Sequence, residues 1–241
     1  MEQRRDSATA YIILADGFET IEALTPLDVL RRCGVEVTTI SLNQTRAVRS
    51  SHGVTVEADT TMEEFMHNCN CCASAIGTGN AGTSSTAGSS TNAGSSTNAS
   101  STSCGPNTSN TGSSTTEGSC LRQALILPGG YPGYKNLCES AEVGALITQF
   151  HKDGKLLCAI CGAPTALKAN QICRGAAITC HTSVKEELSD YYSILSSAVV
   201  KYMNIITGMG AGRSLDFAFA IAEALTSKEK VEEIKAKMEI I

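Results

Sequence analysis

The residues best placed for chemistry lie in Leu156-Leu157-Cys158-Ala159-Ile160-Cys161-Gly162-Ala163-Pro164-Thr165. An apolar run ends at Cys161, two small residues follow, and Pro164 opens a helical pattern. This is the layout of a nucleophile elbow, a sharp strand-to-helix turn that lifts one side chain above the carboxyl edge of a sheet. Small neighbours are needed because the turn packs tightly and its amides must approach the reacting atom. At a helix N-terminus the backbone dipoles favour the thiolate, the reactive form of cysteine. A buried, inert cysteine fits the same layout, and from the residues alone the two readings of Cys161 weigh equally. Cys158, inside the strand, reads as structural.

A reactive thiol needs partners. Glu22 stands at the start of a helical stretch just after the first apolar run, where ligands gather in open α/β sheets. A carboxyl group kept protonated there can donate a hydrogen bond to a thiolate and lower its pKa. Read alone, Glu22 or Glu19 is more often a first-turn charge suited to the helix dipole. His181 follows the short apolar run Ala177 to Thr179 and is either a proton carrier or an ordinary loop histidine. Gly129-Gly130 can present a backbone N–H to a developing oxyanion.

Other patterns carry less. Gly208-x-Gly210-x-Gly212 lacks the final glycine of a dinucleotide fingerprint, because that position holds Arg213. No phosphate-binding G-x-x-x-x-G-K-[ST] occurs. His67-Asn68-Cys69-Asn70-Cys71-Cys72 gathers soft ligands without C-x₂-C spacing, so no metal site is expected. No cofactor is expected either.

The elements that must position these residues alternate. Ala10 to Leu14 reads as a strand, Glu19 to Cys33 as a helix ended by Gly34, and Val35 to Leu42 as a strand. Ala124 to Leu127 and Leu156 to Ile160 are continuous apolar runs typical of buried parallel strands. Val143 to His151 and Pro164 to Asn170 read as helices, Ala177 to Thr179 and Asn204 to Thr207 as short strands. The helix Ser214 to Leu225 is followed by another from Lys228 to Met238. Alternation of this kind implies right-handed crossovers and an α/β, doubly wound, mostly parallel sheet with helices on both faces.

Composition changes abruptly between Ala73 and Ser119, where all but Ile76, Cys104, Pro106 and Glu117 are Ala, Gly, Ser, Thr or Asn. The hexapeptide AGSSTN occurs twice in succession, at 87–92 and 93–98. Such a segment has little apolar surface to offset its ordering entropy and is expected to be a disordered, low-complexity insert, 73–119. Residues 1–241 are then expected to form a single domain.

Net charge is -5, which offers no nucleic-acid surface. No run approaches the roughly 18 apolar residues of a membrane span. The polar start, Met1 to Ala10, has no signal-peptide character, so a cytoplasmic location and reduced thiols are expected for the eleven cysteines.

The blocks ILADGFETIEALTPLDVLRRCGVEVT, SSHGVTVEAD, ALILPGGYPGYKNL, CAICGAPTAL, ITCH and GMGAGRSLDFAFAIAEAL resemble, in order, those of the ThiJ/PfpI superfamily. The branch they are most similar to is that of the parkinsonism-associated protein deglycase. The resemblance runs from Tyr11 to Leu225 apart from the insert. It implies a flavodoxin-like fold and a homodimer. Cys161 takes the position of the reactive, oxidisable cysteine, Glu22 that of the protonated glutamate bonded to it, and His181 that of the nearby histidine. Gly130 and the amide of Gly162 take the oxyanion-binding position. The protease-like branch has His directly after the cysteine, where this chain has Gly162, so that activity is not expected.

The function so implied is that of a cofactor-independent enzyme acting on a small dicarbonyl or a glycated amine. Such an enzyme is a glutathione-independent glyoxalase or protein deglycase converting methylglyoxal to lactate. The alternative is an oxidative-stress sensor or redox-regulated chaperone working through oxidation of the same thiol. A glutamine-amidotransferase-like domain shares the elbow, but nothing in the sequence speaks for its synthetase partner.

Overall fold

The computed structural model describes residues 8–68 and 123–240. The insert 73–119 and the cysteines of the 67–72 cluster lie outside the described residues. The chain begins β1 (Thr9–Leu14), α1 (Thr20–Arg32), β2 (Glu36–Ser41), as the apolar pattern predicts. A small antiparallel hairpin follows, β3 (Ala47–Arg49) with β4 (Thr55–Glu57), then β5 (Thr60–Thr61) and α2 (Met62–Asn68). The second segment runs β6 (Gln123–Leu127), α3 (Gly133–Glu139), α4 (Ala141–Lys152), β7 (Leu156–Ile160), α5 (Pro164–Ala169) and β8 (Ala177–Ile178). It continues α6 (Lys185–Ser189), β9 (Ser193–Ile194), β10 (Val199–Tyr202), β11 (Ile205–Gly208), α7 (Ser214–Leu225) and α8 (Lys228–Lys237).

Seven strands form one sheet in the order β10-β11-β7-β6-β1-β2-β5. Every pairing is parallel except β10 with β11, which closes one edge as a hairpin. At the centre β1 pairs with β6, Thr9 facing Gln123, so both described segments share one sheet.

The central strands are apolar throughout because both their faces are covered. Ala10, Ile12 and Leu14 of β1, Ala124 and Ile126 of β6, and Cys158 and Ile160 of β7 pack on one side with α1, α7 and α8. Ile13, Leu125, Leu127, Leu157 and Ala159 point the other way, against residues of α2 to α6. Each large aliphatic side chain removed from water contributes roughly 1.5–3 kcal/mol. The alternation along each strand therefore fixes its register strongly.

The structure departs from the sequence pattern in detail. Ala177 and Ile178 do form a strand, but it pairs with β9 outside the main sheet. Thr179 instead gives its N–H to Thr207 Oγ1 at 2.9 Å. The strands β3, β4, β5 and β9 have two or three residues each, too few for any periodicity to show. The helix α3 begins at Gly133, directly after Pro132, in a stretch where the apolar pattern predicts no element. Among the described residues no helix is long and apolar enough to cross a membrane.

The carboxyl ends of β1, β6, β7 and β11 lie along one edge of the sheet. Beyond them come Gly17 and Glu19, the Pro128-Gly129-Gly130 turn, Cys161, and the Met209 to Arg213 stretch. That edge gathers the candidate site residues.

Candidate functional site

Cys161 follows the last residue of β7 with φ at +64°, a left-handed conformation that costs a non-glycine residue about 1–3 kcal/mol. Two hydrogen bonds hold it there. Its N–H donates to the Gly208 carbonyl at 3.0 Å, and its carbonyl accepts the His181 N–H at 2.9 Å. The end of β11 and the His181 loop thus clamp the strained residue from both sides. Its thiol is partly exposed, whereas Cys158 is fully buried in the core.

Glu22 lies in the first turn of α1 and has 0 % exposure. Its Oε2 accepts the Gly129 N–H at 2.8 Å, while Oε1 is buried without a hydrogen-bond partner. A Cβ at Gly129 would sit 2.6 Å from Glu22 Oε2, 2.7 Å from Cys161 Cβ and 3.1 Å from its Sγ. Only glycine lets the three residues meet. Gly130 has a second reason: φ is +90°, and a side chain there would strike the backbone of Gly17 to Glu19.

Burial pushes the Glu22 carboxyl up from the usual 4.5 to about 7, against the pull of the Gly129 amide and the Cys161 thiol. Burial and, after it, the neighbouring Glu22 push the Cys161 thiol up to about 12, while the Gly130 and Gly162 amides hold it down. This differs from the lowered thiol expected of a helix N-terminus. Desolvation and an adjacent carboxylate outweigh the dipole of α5, a helix of only six residues. Two negative charges do not coexist in such a place: below about pH 7 carboxyl and thiol are both protonated, and above it the pair holds one charge and one proton. With Glu22 protonated, its repulsion of the thiolate disappears and a hydrogen-bond donor replaces it.

His181 lines the same cavity from an exposed turn. Its Nδ1 accepts the Ser183 N–H at 3.2 Å and stands 2.8 Å from Ser183 Oγ. An accepting Nδ1 leaves the neutral ring's proton on Nε2, so His181 is set up to donate. The structure therefore brings Cys161, Glu22, His181, Gly130 and Gly162 to one place.

The cavity at this place has a volume of about 460 Å³. Glu19 and the stretch Met209 to Arg213 complete its lining. Glu19 is engaged by Ser51 Oγ at 3.1 Å and by His52 Nδ1 at 3.3 Å. Larger hollows lie beside α4 and between β10, α7 and α8, but neither holds a buried carboxyl group or a strained nucleophile. No group of three or more potential metal ligands occurs among the described residues.

Two participants were not read from the sequence. Arg213 entered only as the residue that spoils a dinucleotide motif. Tyr134 gives no signal in the sequence, yet its ring fills the place of a side chain at Gly162, where a Cβ would lie 2.7 Å from Cδ1. Gly162→Ala is accordingly expected to destabilise the protein by about 1–3 kcal/mol, the cost of overpacking. Thermal unfolding checks this, and an unchanged melting temperature would show that the Tyr134 ring moves aside freely.

Residues 8–88 and 115–224 match the DJ-1/PfpI family. The chain is 31% identical over 229 residues to protein dj-1beta of Drosophila melanogaster, covering 95% of each chain. It is 38% identical over 107 residues to the glutathione-independent glyoxalase DJR-1.2 of Caenorhabditis elegans, covering 44% of this chain and 56% of that one. The crystal structure of Drosophila melanogaster DJ-1beta superposes with a TM-score of 0.73 at 29% identity, covering 98% of this chain and 99% of the other. The sandwich is thus the flavodoxin-like α/β fold.

Proposed function

Given that the chain belongs to the DJ-1/PfpI family, we propose that it is a cofactor-independent cysteine enzyme of glyoxalase or deglycase type. Its reaction is methylglyoxal plus water to lactate and a proton, with the dicarbonyl free or newly added to an amine. The observation that carries this reading is the buried Glu22 with one unpartnered oxygen, set against the strained Cys161. The likeness to a relative named a glutathione-independent glyoxalase supports it.

The Cys161 sulfur adds to the aldehyde carbon. The proton shared with Glu22 passes to the aldehyde oxygen, and the Gly130 and Gly162 amides stabilise the charge that develops there. Glu22, now a carboxylate with a pKa near 7, takes the hydrogen from the aldehyde carbon, and His181 Nε2 protonates the ketone oxygen. Glu22 returns its proton to the second carbon of the enediol, while the hydroxyl on the first carbon gives its proton back to His181 Nε2. The resulting thioester is hydrolysed by water, which releases lactate and the thiol. No outside reductant or oxidant takes part, because one carbon is oxidised as its neighbour is reduced.

One domain over 1–241, a homodimer and a cytoplasmic setting belong to the same proposal. A second reading, a sensor or chaperone acting through oxidised Cys161, is favoured by exposure. Of the described cysteines only Cys138 and Cys161 are not buried. Methylglyoxal consumption with lactate detection, without glutathione, separates the two. Turnover by the purified protein is expected; none in a folded sample would overturn the enzyme and leave the sensor.

A further inference from the structure

The cavity at Cys161 carries one arginine in its lining, a group that a neutral three-carbon ketoaldehyde does not use. Arg213 ends the single turn Ala211–Arg213 that precedes α7 and lines both this cavity and the hollow between β10, α7 and α8. It is the one lysine or arginine among the residues lining the Cys161 cavity. Its own ion pair, with Asp216, is long at 3.6 Å, and both side chains are more than half exposed. Such a pair is weak and readily exchanged for a better anion. The two acidic groups of the lining do not compete for it. Glu19 is held by Ser51 and His52, and Glu22 by Gly129 and the thiol.

Space fits the charge. A volume of about 460 Å³ lies in the range that holds ligands much larger than methylglyoxal. A side chain added at Gly212, next to Arg213, would meet nothing within 4 Å, so that rim is open.

We propose that the site prefers 2-oxoaldehydes carrying a carboxylate or phosphate at the end remote from the aldehyde, with Arg213 as the residue that selects the anion. The guanidinium fork binds either group through paired, charge-assisted hydrogen bonds. This rests on the glyoxalase reading above for its chemistry, while the attraction of Arg213 for anions at Cys161 is measurable without turnover.

Two measurements on wild type, Arg213→Ala and Arg213→Lys test it. The first is the rate of Cys161 alkylation by iodoacetate relative to iodoacetamide, followed by mass spectrometry. That ratio is expected to fall about tenfold in Arg213→Ala, to survive in Arg213→Lys, and to shrink with salt. The second is kcat/KM for 4,5-dioxopentanoate and for hydroxypyruvaldehyde phosphate, each relative to methylglyoxal. Both ratios are expected to exceed one in wild type, and the one for the preferred anion to fall about tenfold or more in Arg213→Ala. Whichever of the two falls further identifies the anion. An alkylation ratio untouched by Arg213→Ala overturns the proposal. So does a lowered alkylation ratio with unchanged substrate ratios, since the anion would then bind without directing choice. Absence of turnover on every substrate refutes the glyoxalase reading instead, and the alkylation ratio still decides the role of Arg213.

Discussion

Cys161→Ser is expected to lose methylglyoxal turnover by at least about a thousandfold while remaining folded. The exchange replaces sulfur by oxygen and changes little else. The left-handed backbone at φ +64° and its two clamping hydrogen bonds involve only main-chain atoms, so serine inherits them. What serine does not inherit is acidity. A carboxyl group with a pKa of about 7 can share the proton of a thiol, even one raised by burial, but cannot draw one from an alcohol at a useful rate. Lactate release measured beside circular dichroism distinguishes the outcomes. A folded serine variant with undiminished turnover would refute sulfur addition to the aldehyde.

Glu22→Gln is expected to lower kcat by about 10²–10⁴-fold and to change how stability depends on pH. The carboxyl titrates near 7 in the folded protein and near the usual 4.5 when unfolded, because burial penalises its charged form. Below about pH 4.5 it is protonated in both states and favours neither. As pH rises from there to about 7 the unfolded chain releases the proton and the folded protein retains it. Stability therefore falls through that window and stays lower above it, by about 3 kcal/mol in total. Glutamine keeps an oxygen for the Gly129 N–H and has nothing to titrate. Urea unfolding of both proteins at pH 4.5 and pH 8 measures the slope. Wild type should lose more stability than the variant between the two, and equal losses would contradict a neutral, buried Glu22.

The parts of this molecule that could be read in advance are those whose cause is local. β1, β6 and β7 show themselves because strands covered on both faces are apolar at every position. The elbow shows itself because Gly162, Ala163 and Pro164 each suit a tight turn into a helix. Glycines elsewhere announce only that a side chain is forbidden, not what forbids it. Nothing local tells that Gly129 is excluded by Glu22, 107 positions away, or Gly162 by the ring of Tyr134. The acidity of Cys161 is hidden from the sequence for a related reason. A helix dipole is visible in the order of residues, but desolvation depends on everything packed around the group. Arg213 was weighed as part of a linear motif, and its role as a wall of the cavity follows only from where β11 ends beside β7.

The pairing of β1 with β6 divides the candidate site between two described stretches of chain that meet across the sheet. Glu22 lies on the stretch ending at Asn68, and Cys161, Gly129 and His181 on the one beginning at Gln123. Cut anywhere between them, the protein becomes two polypeptides, neither of which owns a complete sheet or a thiol beside its carboxyl group. The edges of β1 and β6 and the facing surfaces of α1 and α7 are then the adhesive that rejoins them. Under the proposed reaction, lactate production by such a pair is expected to rise with the product of the two fragment concentrations, a complementation readout built into the topology.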